Sequence, residues 1–359
     1  MSLTSASIKQ QALALGFDLC GVAAAGEFPQ LQYLREWLDR GYAGEMVYLE
    51  RGAERRRDVR HVLPSARSVI VAAMVYNTDR PYSTEVRGET KAEVSRYAWG
   101  DDYHEVMGGR LQALVDWMHR ECGEPFDARW YVDTGPVQER VYAQYAGLGW
   151  IGKNTCLINP ELGSWIFLSE IIVSLALEPD QAGFDQCGTC TLCLEACPTG
   201  ALVAPRVLDA TQCISYLTIE LKGAIPERAR EGIGRHVYGC DICQEVCPWN
   251  LRPAVSARAE WLPRALFDRP ALTDLWHASD ERLRSALGSS AMTRAKLTGL
   301  RRNLATAIGN SGHPEAAGAF DESAEEFEAS PSKRDPVVRE HVEWARQKLR
   351  QARPADNGL

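Results

Sequence analysis

Eight of the eleven cysteines fall between Cys187 and Cys247, and no other feature constrains this chain as strongly. The first run reads Cys187-Gly-Thr-Cys190-Thr-Leu-Cys193-Leu-Glu-Ala-Cys197-Pro198. This is the C-x2-C-x2-C-x3-C-P spacing of bacterial ferredoxins, which holds [4Fe–4S] clusters. Soft thiolates suit iron–sulfur chemistry, and the short spacings let one loop reach three corners of a cube. The second run, Cys240-Asp-Ile-Cys243-Gln-Glu-Val-Cys247-Pro248, is one cysteine short, and Cys213 lies between the runs to supply it. In two-cluster ferredoxins the last cysteine of each run ligates the other cluster. Cluster one then takes Cys187, Cys190, Cys193 and Cys247; cluster two takes Cys240, Cys243, Cys213 and Cys197. A pair of zinc sites is the competing assignment, disfavoured by the Cys-Pro endings and the spacing. Cys20, Cys122 and Cys156 lie outside the runs and read as inert thiols.

A cysteine cluster of this kind belongs to a reducing compartment, so the chain is expected in the cytoplasm, free of disulfides. No charged n-region with an apolar h-region opens the sequence. The best apolar run, Val69 to Val75, is far short of the roughly 20 residues that cross a bilayer. With 45% hydrophobic and 25% charged residues over 359 positions, the chain can bury a substantial core and reads as two or three domains. A formal charge of -8 excludes a generic polycation but not a local basic patch.

Periodicity gives an α+β or α/β organisation. Helices are expected over Ile8–Leu15, Leu31–Asp39, Tyr103–Arg120 and Val137–Ala146, with Pro136 in the first turn of the last. Ser68–Tyr76 reads as a buried strand and Ala128–Val132 as a short one; Trp165–Leu177 is a strand, or a strand and a helix. We divide the chain into an α/β domain over 1–180, a ferredoxin-like two-cluster domain over 181–255, and a helical HEAT-like region over 256–359. Leu297–Ile308 and Pro336–Leu349 are the helices of that region, with a polar, acidic stretch from Asp321 to Ser332 between them. Two such helices are too few for an independent solenoid and must pack on the rest. No P-loop and no Gly-rich dinucleotide fingerprint appears.

Two clusters move electrons one at a time, so the first 180 residues are expected to hold a second redox cofactor. Here the sequence resembles a known family. The strings SRYAWGDDYH (Ser95 to His104), VDTGPVQER (Val132 to Arg140), AGLGWIGKN (Ala146 to Asn154), CISYLTIELKGAIP (Cys213 to Pro226) and YGCDICQEVCPWN (Tyr238 to Asn250) look like those of the epoxyqueuosine reductases. With the first cysteine run they span about residues 50 to 250. The resemblance implies cobalamin beside the two clusters, a cofactor pairing also found in reductive dehalogenases. It implies removal of the epoxide oxygen of epoxyqueuosine at a tRNA wobble position, giving queuosine, with electrons from a donor the sequence does not identify.

The resemblance places residues in roles. Asp133 matches the family's catalytic aspartate, which protonates the departing oxygen and would need desolvation to hold a proton near neutral pH. Taken alone, Asp133 reads as a cap of the following helix. Arg56, Ser95, Asp133, Leu157, Leu168, Ser215, Cys240 and Asp241 match positions around the corrin. Val59 departs from the family's usual proline, so the arginine register could slip among Arg55, Arg56 and Arg57. For Leu157 and Leu168, plain core is the alternative. The D-x-H-x-x-G signature of a histidine cobalt ligand is absent, since Met107 stands where glycine is needed; His104 reads as structural or site-lining.

Local charge offers tRNA contacts. Arg294, Lys296, Arg301 and Arg302 occur in a stretch without acids, and Lys222, Arg228, Arg230 and Arg235 form a second basic set. Such residues can hold phosphates, or simply be solvated helix faces. Lys222 is the first candidate for a nucleotide contact. A monomer suffices for this activity. A dehalogenase-like small-molecule reductase and a pure electron-transfer subunit remain the competing functions.

Overall fold

The protein is described by a computed structural model covering residues 3–86, 88, 90–321, 323 and 329–352. Its centre is an antiparallel sheet in the order Leu19–Ala24, Ser68–Val75, Ile166–Val173, Ala128–Tyr131. Ser68–Val75 is buried along its whole length, as its near-continuous apolar run requires. Alternation sends its side chains to two cores. Ile70, Ala72 and Met74 join Ile8, Met107, Leu111, Leu114 and Met118. Val69, Val71, Ala73 and Val75 join Leu31, Val141, Tyr142 and Leu148. Because every pairing in this four-stranded sheet is antiparallel, α+β describes it better than α/β.

The helix Ser5–Ala14 is capped by Thr4, Pro29–Asp39 starts on its proline, and Tyr103–Glu121 is capped by Asp102. The spacing of Met107, Leu111, Leu114 and Met118 puts all four on one buried stripe. Trp165–Leu177 resolves into the strand Ile166–Val173. The expected helix at Val137 instead runs Glu139–Tyr145 from a Gln138 cap, so Pro136 lies in the preceding loop. That loop begins at Asp133 with φ 58°, a left-handed conformation that turns the chain before a helix can start.

In the cysteine-rich segment, the one-turn helices Leu192–Glu195 and Ile242–Glu245 carry Cys193 and Cys243 and pack against each other. The C-terminal helices Lys296–Asn310 and Pro336–Gln351 pack along each other. They do not stand apart: Leu300, Leu304 and Ile308 share one core with Val94, Trp99, Val237 and Tyr238. The acidic stretch from Asp321 to Ser332 lies largely outside the described residues.

The core position of Lys296–Asn310 corrects two expected tRNA contacts. Arg301 and Arg302 are 0% and 1% exposed. Arg301 donates to the carbonyls of Leu275, Trp276 and Ala278 and to Asp280. Arg302 donates to the carbonyls of Leu217, Leu221 and Gly223. Both guanidiniums tie loop carbonyls to the helix and cannot reach a phosphate. Sequence could not separate them from surface arginines, because a helix buried almost all round carries no polar face. Arg230 and Arg235 are spent similarly, on the Ile225 carbonyl and Glu340, and on the carbonyls of Ser83, Val86 and Gly88.

Candidate active site and cluster segment

Asp133 follows the last residue pairs of the strand Ala128–Tyr131. Its left-handed backbone is one that aspartate tolerates better than most residues. The turn is held by the Thr134 amide donating to Val132 O (2.5 Å) and the Asp133 amide donating to Glu139 Oε1 (2.6 Å). Gly135 follows because a Cβ there would lie 2.4 Å from the Tyr131 ring. The Asp133 side chain is 64% exposed and does not cap the helix. Its Oδ2 accepts from the Tyr103 hydroxyl at 3.0 Å, and His104 Nε2 lies 3.8 Å away, an ion-pair distance longer than a hydrogen bond. His104 Nδ1 is 2.6 Å from Asp102 Oδ1.

These contacts set the charges. The His104 imidazole holds the Asp133 carboxyl below its ordinary range, against burial, and Tyr103 adds to the effect. Burial pulls His104 down, but Asp133 and Asp102 outweigh it and raise its pKa. The contacts thus favour a proton on His104, between two carboxylates, over one on Asp133. Behind the turn lies a second acidic group. Burial, with the Asp133 charge beside it, pushes Glu139 up to about 8; burial, with the Glu139 charge beside it, pushes Glu170 well above the carboxylate range.

Among the three consecutive arginines, Arg56 is the one that turns inward; Arg55 and Arg57 are exposed. Arg56 Nη2 lies 3.5 Å from the Gly135 carbonyl, and burial lowers its pKa. Ser95 is buried, with its hydroxyl donating to Asp241 Oδ1 (2.5 Å) while the Arg96 amide donates to Asp241 Oδ2 (2.6 Å). Burial pushes Asp241 up to about 6. Gly239, at φ 68°, lets the chain pass Ser95, where a Cβ would lie 2.5 Å from the serine Cβ. Leu157 is buried beside Ile151 in a two-residue pairing. Leu168 is the single half-buried position in a strand otherwise buried throughout. Ser215 is half-buried at the start of the Tyr216–Glu220 helical turn.

The eight cysteines gather in two groups. Cys187, Cys190, Cys193 and Cys247 line one pocket with Lys153, Asn154 and Trp249. Cys213 and Cys240 pack on one apolar cluster, and the Cys197, Cys213, Cys240 and Cys243 thiols influence one another. Burial pushes the Cys247 thiol up to about 11. Such thiols become thiolates when a metal centre compensates the charge.

The string AGLGWIGKN proves to wrap the cysteines. Trp150 Nε1 donates to Cys187 Sγ at 3.5 Å. Lys153 Nζ donates to the carbonyls of Gly188 and Cys190, and Asn154 Nδ2 to that of Cys243. Cys156, which reads as inert from sequence, lies against Cys243, and this contact lowers its pKa. Tyr103, Glu139, Glu170 and Cys156 are the site neighbours that spacing did not reveal; the first two stand inside or beside strings that carry the resemblance.

Of the expected tRNA contacts, Lys222, Arg294 and Lys296 are exposed. Lys222 Nζ donates to the Arg294 carbonyl at 3.3 Å. Arg294 is paired with both oxygens of Glu220 and lies over the Tyr48 ring. Tyr48 and Arg294 both feel the Asp133 charge, so this basic edge borders the Asp133 site. Among the described residues no helix is long and apolar enough to cross a membrane.

Comparison with known proteins agrees with this geometry. Residues 186–250 match the model of a 4Fe-4S double cluster binding domain, and residues 56–134 match that of epoxyqueuosine reductase QueG, DUF1730. The epoxyqueuosine reductase of Gloeobacter violaceus is 46% identical over 323 residues, covering 87% of this chain and 98% of that one. That of Pseudomonas aeruginosa is 40% identical, covering 94% and 92%. Among solved structures, an epoxyqueuosine reductase with a tRNA-Tyr epoxyqueuosine-modified stem loop superposes with a TM-score of 0.85 at 31% identity, over 96% of this chain and 89% of that one. The Bacillus subtilis enzyme, solved with its aspartate-bearing catalytic loop swung out of the active site, gives 0.83 at 29% identity, over 98% and 95%. With relatives this similar along nearly their whole length, this chain belongs to the epoxyqueuosine reductase family.

Proposed function

We propose that this protein removes the epoxide oxygen of epoxyqueuosine at the tRNA wobble position, giving queuosine, with cobalamin and two [4Fe–4S] clusters as its cofactors. The observation that carries the proposal is Asp133. It stands on a strained turn, with Tyr103 and His104 on its carboxylate, in a chain that carries two cysteine groups of cluster type. A built proton donor beside an electron-transfer segment is what reductive removal of an oxygen requires.

The residues present fit the cofactors. The cavity ringed by Cys187, Cys190, Cys193 and Cys247 suits one cubane, and the group Cys197, Cys213, Cys240 and Cys243 suits the other. Leu168, half-buried and packed against the apolar core of the sheet, offers an apolar wall. Arg56, Ser95, Leu157, Leu168, Ser215, Cys240 and Asp241 would border the corrin. When bound, cobalamin supplies a low-potential cobalt centre that activates the epoxide carbon.

The chain's own residues do the rest. Asp133, drawing on the His104 proton, protonates the departing oxygen, because an alkoxide leaves poorly at neutral pH. Tyr103 fixes the carboxylate. The Ser95–Asp241 hydrogen bond ties the Cys240–Cys243 loop to the site wall. Lys222, Arg294 and Lys296 form the phosphate-binding edge, and the wobble base leaves its stack to enter the site. The division into parts over 1–180, 181–255 and 256–359, with a HEAT-like last part, belongs to this proposal. The shared core described above supports a C-terminal part that folds only against the cluster segment.

The test is anaerobic. Protein reconstituted with iron, sulfide and cobalamin is given a chemical reductant and tRNA bearing epoxyqueuosine, and the nucleosides are weighed after digestion. Loss of one oxygen mass, abolished by Asp133→Asn, supports the proposal. Loss that survives the substitution removes Asp133 from its role. No loss with intact clusters and bound corrin points to a small-molecule reductase.

A further inference from the structure

Removing an epoxide oxygen with two electrons consumes two protons, leaving a carbon–carbon double bond and water. Asp133 delivers one at a time, and the structure holds a second acid behind it. Glu170 lies on a central strand at 0% exposure, with neither side-chain oxygen hydrogen-bonded. Glu139 points one oxygen at the Asp133 amide, 2.6 Å away, and its carboxyl lies against that of Glu170. Two carboxylates in contact, one of them fully buried, are costly, whereas one shared proton turns an orphaned acceptor into a donor–acceptor pair. The other groups facing the pair are Asp133 from the turn, Arg140 from Glu139's own helix, Tyr103 from the long helix and Arg56 from the short one. Asp133 favours retention of the proton and the two arginines oppose it. Burial tips the balance towards retention.

We propose that Glu139 and Glu170 share one proton at neutral pH and return it to Asp133 after Asp133 has protonated the departing oxygen. This rests on the reductase function above. The first proton goes to the epoxide oxygen as one C–O bond breaks. The pair reprotonates Asp133, and the second proton leaves with the oxygen as water when the other C–O bond breaks. The two electrons are those the reductase activity supplies. Glu139 and Glu170 act through Asp133 and are positioning residues.

Infrared difference spectra of the reconstituted protein between pH 6 and 9, in H2O and D2O, test the store without turnover. The expected result is a protonated-carboxyl band that titrates near pH 8, shifts in D2O and disappears in Glu170→Gln and Glu139→Gln. In turnover, Glu170→Gln should lower kcat about 10- to 100-fold at pH 8 and less at pH 6, with KM within about twofold. Absence of the band in the unsubstituted protein, its persistence in both variants, or an unchanged kcat–pH profile in Glu170→Gln overturns the proposal. If Glu170→Gln does not fold, Glu139→Gln, at a helix start, carries the same measurements. If the unsubstituted protein shows the titrating band but reduces no epoxyqueuosine, the shared proton stands and the reductase function fails.

Discussion

Tyr103 donates its phenolic hydrogen to Asp133 across 3.0 Å, from the first residue of a helix to the left-handed residue of a turn. The two are 30 positions apart in sequence. The contact aims a carboxylate that is otherwise mostly exposed. A hydrogen bond to a charged group is worth about 1.5–3 kcal/mol, enough to select one side-chain orientation.

Tyr103→Phe tests this contact. A donor to the anion lowers the carboxyl pKa, so its loss raises it. Asp133 should become protonated at higher pH, and turnover should fall about tenfold as the carboxylate loses its aim. Titration of Asp133 by carbon NMR and single-turnover rates check it; an unmoved titration with full turnover removes Tyr103 from the site.

The two kinds of arginine and lysine separate cleanly. Lys222→Ala should leave the thermal midpoint unchanged and reduce the slope of log K against log salt for a tRNA stem loop by about 0.7–0.9. Arg302→Met should do the reverse. It strips donors from the carbonyls of Leu217, Leu221 and Gly223. The cost is about 3 kcal/mol or more of stability. A salt slope changed by Arg302→Met in folded protein would reinstate it as a phosphate contact.

His341 makes stability depend on pH. It is 0% exposed; its Nε2 accepts from the Ile225 amide at 3.1 Å and its Nδ1 donates to the Val337 carbonyl at 2.7 Å. Burial lowers its pKa from 6.5 to about 4. Between those values the unfolded chain binds a proton that the folded chain refuses. Its contribution is therefore fully present above about pH 6.5 and lost as pH falls toward 4, by about 3 kcal/mol in all. Thermal midpoints from pH 7.5 to 5 should fall in the native protein and flatten in His341→Gln; equal slopes would mean the imidazole is not held neutral.

Cys213 is the ligand that lies outside both runs. Cys213→Ser should roughly halve the iron and labile sulfide of the anaerobically reconstituted protein, because one of two cubanes loses a corner. Full iron content in that variant would leave cluster two with a different fourth ligand.

Much of this was legible in the chain itself. The x2 and x3 spacings name the cluster cysteines because ligands of one loop must be near neighbours. SVIVAAMV declares a strand buried on both faces, and the stripe Met107, Leu111, Leu114 and Met118 declares a helix face, because both patterns are periodic and local. Charge was less legible: Arg294, Arg301 and Arg302 look alike in sequence, yet Arg294 is exposed and the other two are buried in a shared core.

What only the tertiary structure decided are relationships between distant positions. The Ser95–Asp241 bond, the turn of Arg56 toward Gly135, and the approach of Cys156 to Cys243 each join segments that no local period connects. So does the meeting of Glu139 with Glu170, which sets a half-buried glutamate against a fully buried one. Local spacing determines which residues can share an element and a metal. Desolvation and partner charges, which set protonation, exist only once the sheet, the Asp133 turn and the long helix are assembled.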